Sequence, residues 1–129
     1  MMPPLNKIML VEDEPDIQAV ARLTLESVGG FTVEICSSGK EAVERAEDFA
    51  PDLILLDVMM PGMDGLSVLK ALREIPQVAK TPVIFMTAKA QSHEVDLYKR
   101  QGAIDVISKP FDPMLLSETI KCIWENYRR

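Results

Sequence analysis

The stretch Leu53-Ile54-Leu55-Leu56-Asp57-Val58-Met59-Met60-Pro61-Gly62-Met63-Asp64-Gly65 places an acid directly after four aliphatic residues. Four apolar residues in a row leave no polar face for water. They fit a strand buried on both sides, as a parallel sheet requires. A Pro/Gly turn follows, and Asp64 then stands where it can cap a helix with Leu66, Leu69 and Leu72 inward. An acid at the end of a buried strand, before a strand-to-helix turn, is a position from which α/β proteins do chemistry.

Working outward, the same alternation recurs. Lys7–Val11, Thr32–Cys36, Leu53–Asp57, residues 82–86 and residues 104–108 are short and apolar and read as strands. Between them lie helical patterns. Ile17, Val20, Ala21, Thr24, Leu25 and Val28 share one face, with Gly29 as the stop. Ser38 and Glu41 form a capping box opening a helix with Ala42, Val43, Ala46 and Phe49 inward. A fourth helix, Ser92–Gln101, is weakly apolar and anchored by Val95 and Tyr98. Asp112-Pro113 caps a fifth, striped by Leu116, Ile120, Ile123 and Tyr127. Strict β-α alternation implies a parallel sheet with right-handed crossovers and helices on both faces.

The 129 residues fit one domain, 1–129, with one core, and no repeat or linker interrupts them. The longest apolar runs fall far short of a membrane span of roughly 20 residues. Met1-Met2-Pro3-Pro4 begins no secretion signal, so a cytoplasmic protein is expected. Fourteen basic against twenty acidic residues give a net charge of −6, which repels phosphate backbones and argues against direct nucleic-acid binding. Cys36 and Cys122 read as two buried, apolar-behaving thiols rather than a disulfide.

The strand ends carry the chemistry. Strand one ends in Glu12-Asp13, strand three in Asp57, strand four in Thr87-Ala88 and strand five in Lys109-Pro110. Alone, each residue has an ordinary reading as a helix cap, a strand residue or a solvated charge. Together they would crowd three acids on one rim. Unit charges about 4 Å apart interact by roughly 4 kcal/mol at an effective dielectric near 20. Lys109 offsets part of that repulsion, and a hard divalent cation such as Mg²⁺ suits the rest. Acids, a metal and one ammonium point to phosphoryl chemistry, with an aspartate as acceptor.

On these motifs (Glu12-Asp13, the Asp57 to Gly65 segment, Thr87-Ala88 and Lys109-Pro110-Phe111) the chain resembles a response-regulator receiver domain over residues 7–127. The resemblance implies a flavodoxin-like (βα)5 three-layer α/β sandwich with strand order 2-1-3-4-5. It implies that Asp57 takes a phosphoryl group from a histidine kinase or histidine phosphotransfer protein. Asp13 would bind Mg²⁺ directly, Glu12 through water, and Met59 through its backbone carbonyl. Lys109, aimed by a cis Pro110, and the Thr87 hydroxyl would contact phosphoryl oxygens. The small Ala88 would let the backbone come close to the phosphate.

A switch rather than an enzyme is implied, acting on a downstream target or an output domain through helix four, strand five and helix five. The protein would be a monomer or weak dimer. Shifting such a switch from mostly off to mostly on takes about 5 kcal/mol. A new charge-assisted hydrogen-bond set supplies about half of that, leaving the remainder to partner binding.

Two positions depart from the family, mildly at Glu12, where the acid pair usually begins with Asp, and more importantly at Val106. Val106 stands three residues before the lysine, where the family usually has an aromatic ring. Met59 and Lys89, each two residues past a site residue, occupy positions that in this family modulate water access. Their bulk implies that dephosphorylation is not especially fast. The alternatives are a phosphorylation-independent receiver-like interaction module, and a haloacid-dehalogenase-like phosphatase. The phosphatase needs a second Asp where Met59 stands, after the first strand rather than the third. His93 reads as solvated and Trp124 as core cover.

Overall fold

The computed structural model describes residues 4–60 and 64–128. Pro61, Gly62 and Met63 of the turn after Asp57, and the first three residues, lie outside the described residues. Strands β1 (Lys7–Val11), β2 (Thr32–Cys36), β3 (Leu53–Asp57), β4 (Val83–Thr87) and β5 (Asp105–Ser108) form one parallel sheet in the order β2-β1-β3-β4-β5. Helices α1 (Pro15–Leu23), α2 (Gly39–Phe49), α3 (Gly65–Arg73), α4 (Ser92–Gln101) and α5 (Leu116–Tyr127) alternate with them. This is the expected flavodoxin-like architecture. β4 begins one residue later than the apolar run suggests and includes Thr87.

Alternate residues of the central strands serve opposite layers. Ile8, Leu10, Leu53, Leu55, Ile84 and Met86 pack with Ala21, Leu25, Leu116 and Ile120 of the α1 and α5 layer. Met9, Val11, Ile54, Leu56, Val83 and Phe85 pack with Ala42, Ala46, Leu69 and Leu72 of the other layer. β3 and β4 are buried along their whole length, which is why their sequences lack a polar face. Thr24 Oγ1 donates to the Pro113 carbonyl at 2.7 Å and Ser117 Oγ to the Thr24 carbonyl at 3.0 Å, tying the residue after α1 to α5 and to the turn before it.

Several local expectations are corrected. α1 runs into a π-helical segment, Thr24–Val28, where the Gly29 N–H bonds Thr24 O at 3.1 Å. A π turn inserts an extra residue into the α repeat. The apolar stripe therefore slips, leaving Val28 exposed, and Val20 is exposed as well. Gly29 is the stop, as expected, capping the π-helical segment with φ −83°, and the left-handed backbone comes one residue later at Gly30 (φ +73°).

α2 keeps the Ser38 cap, whose hydroxyl accepts from Glu41 N–H at 3.1 Å, but Glu41 reaches back to Ser37 N–H. Asp112 caps a turn at 112–115 instead of the helix, accepting from Met114 N–H at 2.9 Å, so α5 starts at Leu116. Tyr127 is exposed at its end. Cys36 is buried and free, whereas Cys122 is free and exposed on the outer face of α5.

At the start of α3, a Cβ on Gly65 would meet Val58 Cγ1 at 2.5 Å. Gly65 thus lets the helix close onto the strand that ends in Asp57, and Asp64 caps it through Leu66 N–H at 3.0 Å. Among the described residues no helix is long and apolar enough to cross a membrane.

Candidate functional site

The sheet register brings the polar residues to one edge. Val11 pairs with Leu56 and Cys36, so Glu12-Asp13 and Asp57 leave neighbouring strands together. Asp57 pairs with Met86 and Thr87 with Ser108, which sets Thr87 and Lys109 beside them. Carboxylate oxygens of Glu12, Asp13 and Asp57 all lie within 4.8 Å of one another. Such a set of hard oxygen donors suits a Ca²⁺- or Mg²⁺-type ion.

Lys109 Nζ donates to Asp57 Oδ2 at 2.9 Å and to Glu12 Oε1 at 3.0 Å. Its side chain is 13% exposed, and those of Glu12 and Asp57 are 0% and 2% exposed. The charges are therefore desolvated, and the contact is stronger than a surface ion pair. The remaining oxygens are also held. Asp57 Oδ1 accepts from Met59 N–H at 2.8 Å, and Glu12 Oε2 accepts from Glu14 N–H at 3.1 Å.

Burial pushes the Glu12 carboxyl above its usual range, and the Asp57 charge adds to the push. Hydrogen bonds from Glu14 N–H and Lys109 oppose it. Burial works to lower Lys109, but hydrogen bonds to Asp57 and Glu12 and their charges outweigh it and hold the ammonium above its usual range. The two directions look opposed for a single ion pair. They agree once burial is counted first: desolvation of Glu12 outweighs what a lysine shared between two acids returns to it, and the Asp57 charge adds a smaller push.

Thr87 is buried, and its Oγ1 accepts from Lys89 N–H at 3.0 Å. Ala88 is exposed, and its N–H points to Met59 Sδ at 3.1 Å. The Lys109-Pro110 peptide is cis, and Pro110 is exposed. Two contacts lay beyond the sequence reading. Gln18 Nε2 donates to the Glu12 carbonyl and to Ser37 Oγ, pinning the loop after β1. The Met59 thioether spans the loops after β3 and β4. A polar residue in the first turn of α1 is a weak signal for the former, and the sequence holds none for the latter.

The chain matches the model of the response regulator receiver domain over residues 8–121. It belongs to the response regulator receiver domain family. The receiver domain is 39% identical over 118 residues to the alkaline phosphatase synthesis transcriptional regulatory protein PhoP of Bacillus subtilis, covering 92% of this chain and 48% of that protein. It is 39% identical over 119 residues to the transcriptional regulatory protein CpxR of Escherichia coli K12, covering 92% and 49%.

The solved structure of the chemotaxis protein CheY4 of Vibrio cholerae superposes with a TM-score of 0.83 at 31% identity, covering 93% of this chain and 99% of that one. The receiver domain thus spans about half the length of the curated relatives and nearly all of CheY4. The family matched is the receiver domain, not a haloacid-dehalogenase-like phosphatase. A phosphoacceptor role in two-component signalling fits that family.

Proposed function

We propose that Asp57 is the phosphoacceptor, and that the chain, over 1–129, is one receiver domain phosphorylated by a histidine kinase or phosphotransfer protein. The observation that carries this is the Lys109 ammonium shared between Asp57 and Glu12 beside the Asp13 carboxylate. A carboxylate oxygen of Asp57 forms a bond to phosphorus as the phosphorus–nitrogen bond of phosphohistidine breaks, and its electron pair returns to the imidazole. Lys109 already lies 2.9 Å from Asp57 Oδ2 and neutralises an oxygen of the arriving group. Thr87 keeps its hydroxyl hydrogen free for another oxygen while accepting from Lys89 N–H.

Mg²⁺ fits the donor set: Asp13 and Asp57 would hold it, with the Met59 carbonyl, and Glu12 through water. When bound it supplies charge neutralisation for the phosphoryl oxygens. The phosphoryl group brings a charge of about −2 and strong acceptors to a rim already tied to the loop before α4. The surface of α4, β5 and α5 then changes its affinity for a target protein or an output domain.

On this reading the domain is a stoichiometric acceptor in the cytoplasm, monomeric or weakly dimeric, and its acidic surface does not bind nucleic acid. The DNA-binding response regulator MtrA of Mycolicibacterium smegmatis, 33% identical, is matched over only 49% of its length. DNA binding would therefore belong to a separate output domain.

The experiment is intact mass after acetyl phosphate and Mg²⁺. The wild type should gain one phosphoryl group, and both Asp57→Ala and the wild type in EDTA should gain none. A gain of equal size in Asp57→Ala would place the acceptor elsewhere, and no gain in the wild type would favour the phosphorylation-independent module.

A further inference from the structure

Among the described contacts at the site, one joins the loops after β3 and β4 through a neutral side chain rather than through charge. Met59 Sδ lies 3.1 Å from the backbone nitrogen of Ala88 and accepts its hydrogen. Met59 also donates its own N–H to Asp57 Oδ1 at 2.8 Å. One residue therefore touches the acceptor carboxylate with its backbone and the loop after β4 with its thioether. Met59 is 46% exposed, so its side chain can swing away without opening the core.

The two acceptors open to the Ala88 N–H differ greatly in strength. A thioether sulfur is a weak acceptor. A phosphoryl oxygen is charged, and hydrogen bonds to charged oxygens are roughly twice as strong as neutral ones. Ala88 follows Thr87 at the end of β4, on the rim where Asp57 stands.

We propose that Met59 is a positioning residue: its thioether parks the Ala88 amide in the resting state and yields it to a phosphoryl oxygen once Asp57 is modified. This rests on the reading of Asp57 as the phosphoacceptor. The exchange releases the Met59 side chain from the loop leading to α4. Occupancy of Asp57 is thereby linked to that loop without an aromatic at position 106. The weak latch also sets how readily the resting site accepts the group. A better acceptor at position 59 holds the amide back, and a side chain with no acceptor frees it.

The test uses Met59→Leu, which keeps the bulk and loses the acceptor, and Met59→Gln, which offers a stronger one. The first readout is hydrogen exchange of the Ala88 amide, followed by NMR with Mg²⁺ and no phosphodonor. The second is half-saturation by beryllofluoride, a phosphoryl mimic. In Met59→Leu the Ala88 amide should exchange about threefold to tenfold faster, and half-saturation should fall by a similar factor, the size of one neutral hydrogen bond. Met59→Gln should move both in the opposite direction. Unchanged exchange and half-saturation in both variants, with beryllofluoride still binding, overturn the latch alone. A wild type that takes no beryllofluoride overturns the Asp57 reading and the yielding step with it.

Discussion

Lys109 is the residue on which the site's electrostatics turn. It satisfies two buried acids at once, so its loss leaves two desolvated charges unpaired. Removing one partner of a buried pair costs about 3–5 kcal/mol. Lys109→Ala should lower stability in EDTA by about 3 kcal/mol, measured by urea unfolding, and Mg²⁺ should restore part of that loss. An equal loss with and without Mg²⁺ would mean that the ion does not share the lysine's task.

Cys36 gives a pH-dependent case. Burial pushes its thiol from 9.0 up to about 11, Arg45 pulls it down, and Glu34 and Glu41 add to the rise. An acid with a raised folded value contributes stability that is complete below its unfolded value and lost as pH rises through the folded one. Stability should therefore fall between pH 9.0 and about 11, and Cys36→Ala should flatten that fall in unfolding curves taken across the range. At pH 8, iodoacetamide should label Cys122 but leave Cys36 unmodified. Labelling of both thiols at equal rates would contradict the burial of Cys36.

Charged residues were the legible part of the site. Acids and a lysine at strand ends announce themselves because their desolvation demands partners. The Met59 contact was not legible, since a thioether meeting an amide across two loops leaves no pattern in spacing.

Among the elements, the strands are legible almost to the residue, because burial on both faces keeps β3 and β4 apolar up to their last residues, Asp57 and Thr87. α1 was read less well. Helical spacing assumes an α repeat throughout, and the π-helical segment breaks it after Leu23. The consequence is measurable. Leu25, fully buried, should cost about 2–5 kcal/mol on truncation to Ala. Val28, 64% exposed, should change stability by no more than about 0.5 kcal/mol as Val28→Gln. A large loss at Val28 would restore the uninterrupted helix.

α4 differs from its neighbours in having no buried residue. It is held by half-buried Val95 and Tyr98, and the Tyr98 ring meets Phe85 edge-on at 5.5 Å. Phe85 in turn pairs with Val106, so Tyr98 supplies aromatic packing next to the position that lacks a ring. Few buried contacts make an element open more easily. Amides of α4 should exchange faster than those of α5, whose Leu116, Ile120 and Ile123 are buried. Its weak apolar pattern in the sequence was the legible sign of this.

For the whole molecule, charge and fold act together. The parallel sheet gathers three carboxylates at one edge of an already acidic protein, so a divalent ion should bind the folded chain and not the unfolded one. At about one hundred times its dissociation constant, such an ion adds roughly 2.7 kcal/mol. The melting temperature should thus climb with Mg²⁺ concentration in the wild type and stay flat in Asp13→Ala.

The most direct measurement is a crystal structure of the wild type grown with Mg²⁺ and beryllofluoride. It should show the mimic on an Asp57 oxygen and the ion on Asp13, Asp57 and the Met59 carbonyl. Lys109 Nζ and Thr87 Oγ1 should lie within hydrogen-bond distance of the fluorines. Beryllofluoride on another carboxylate, or an ion held away from Asp13 and Asp57, would contradict the account.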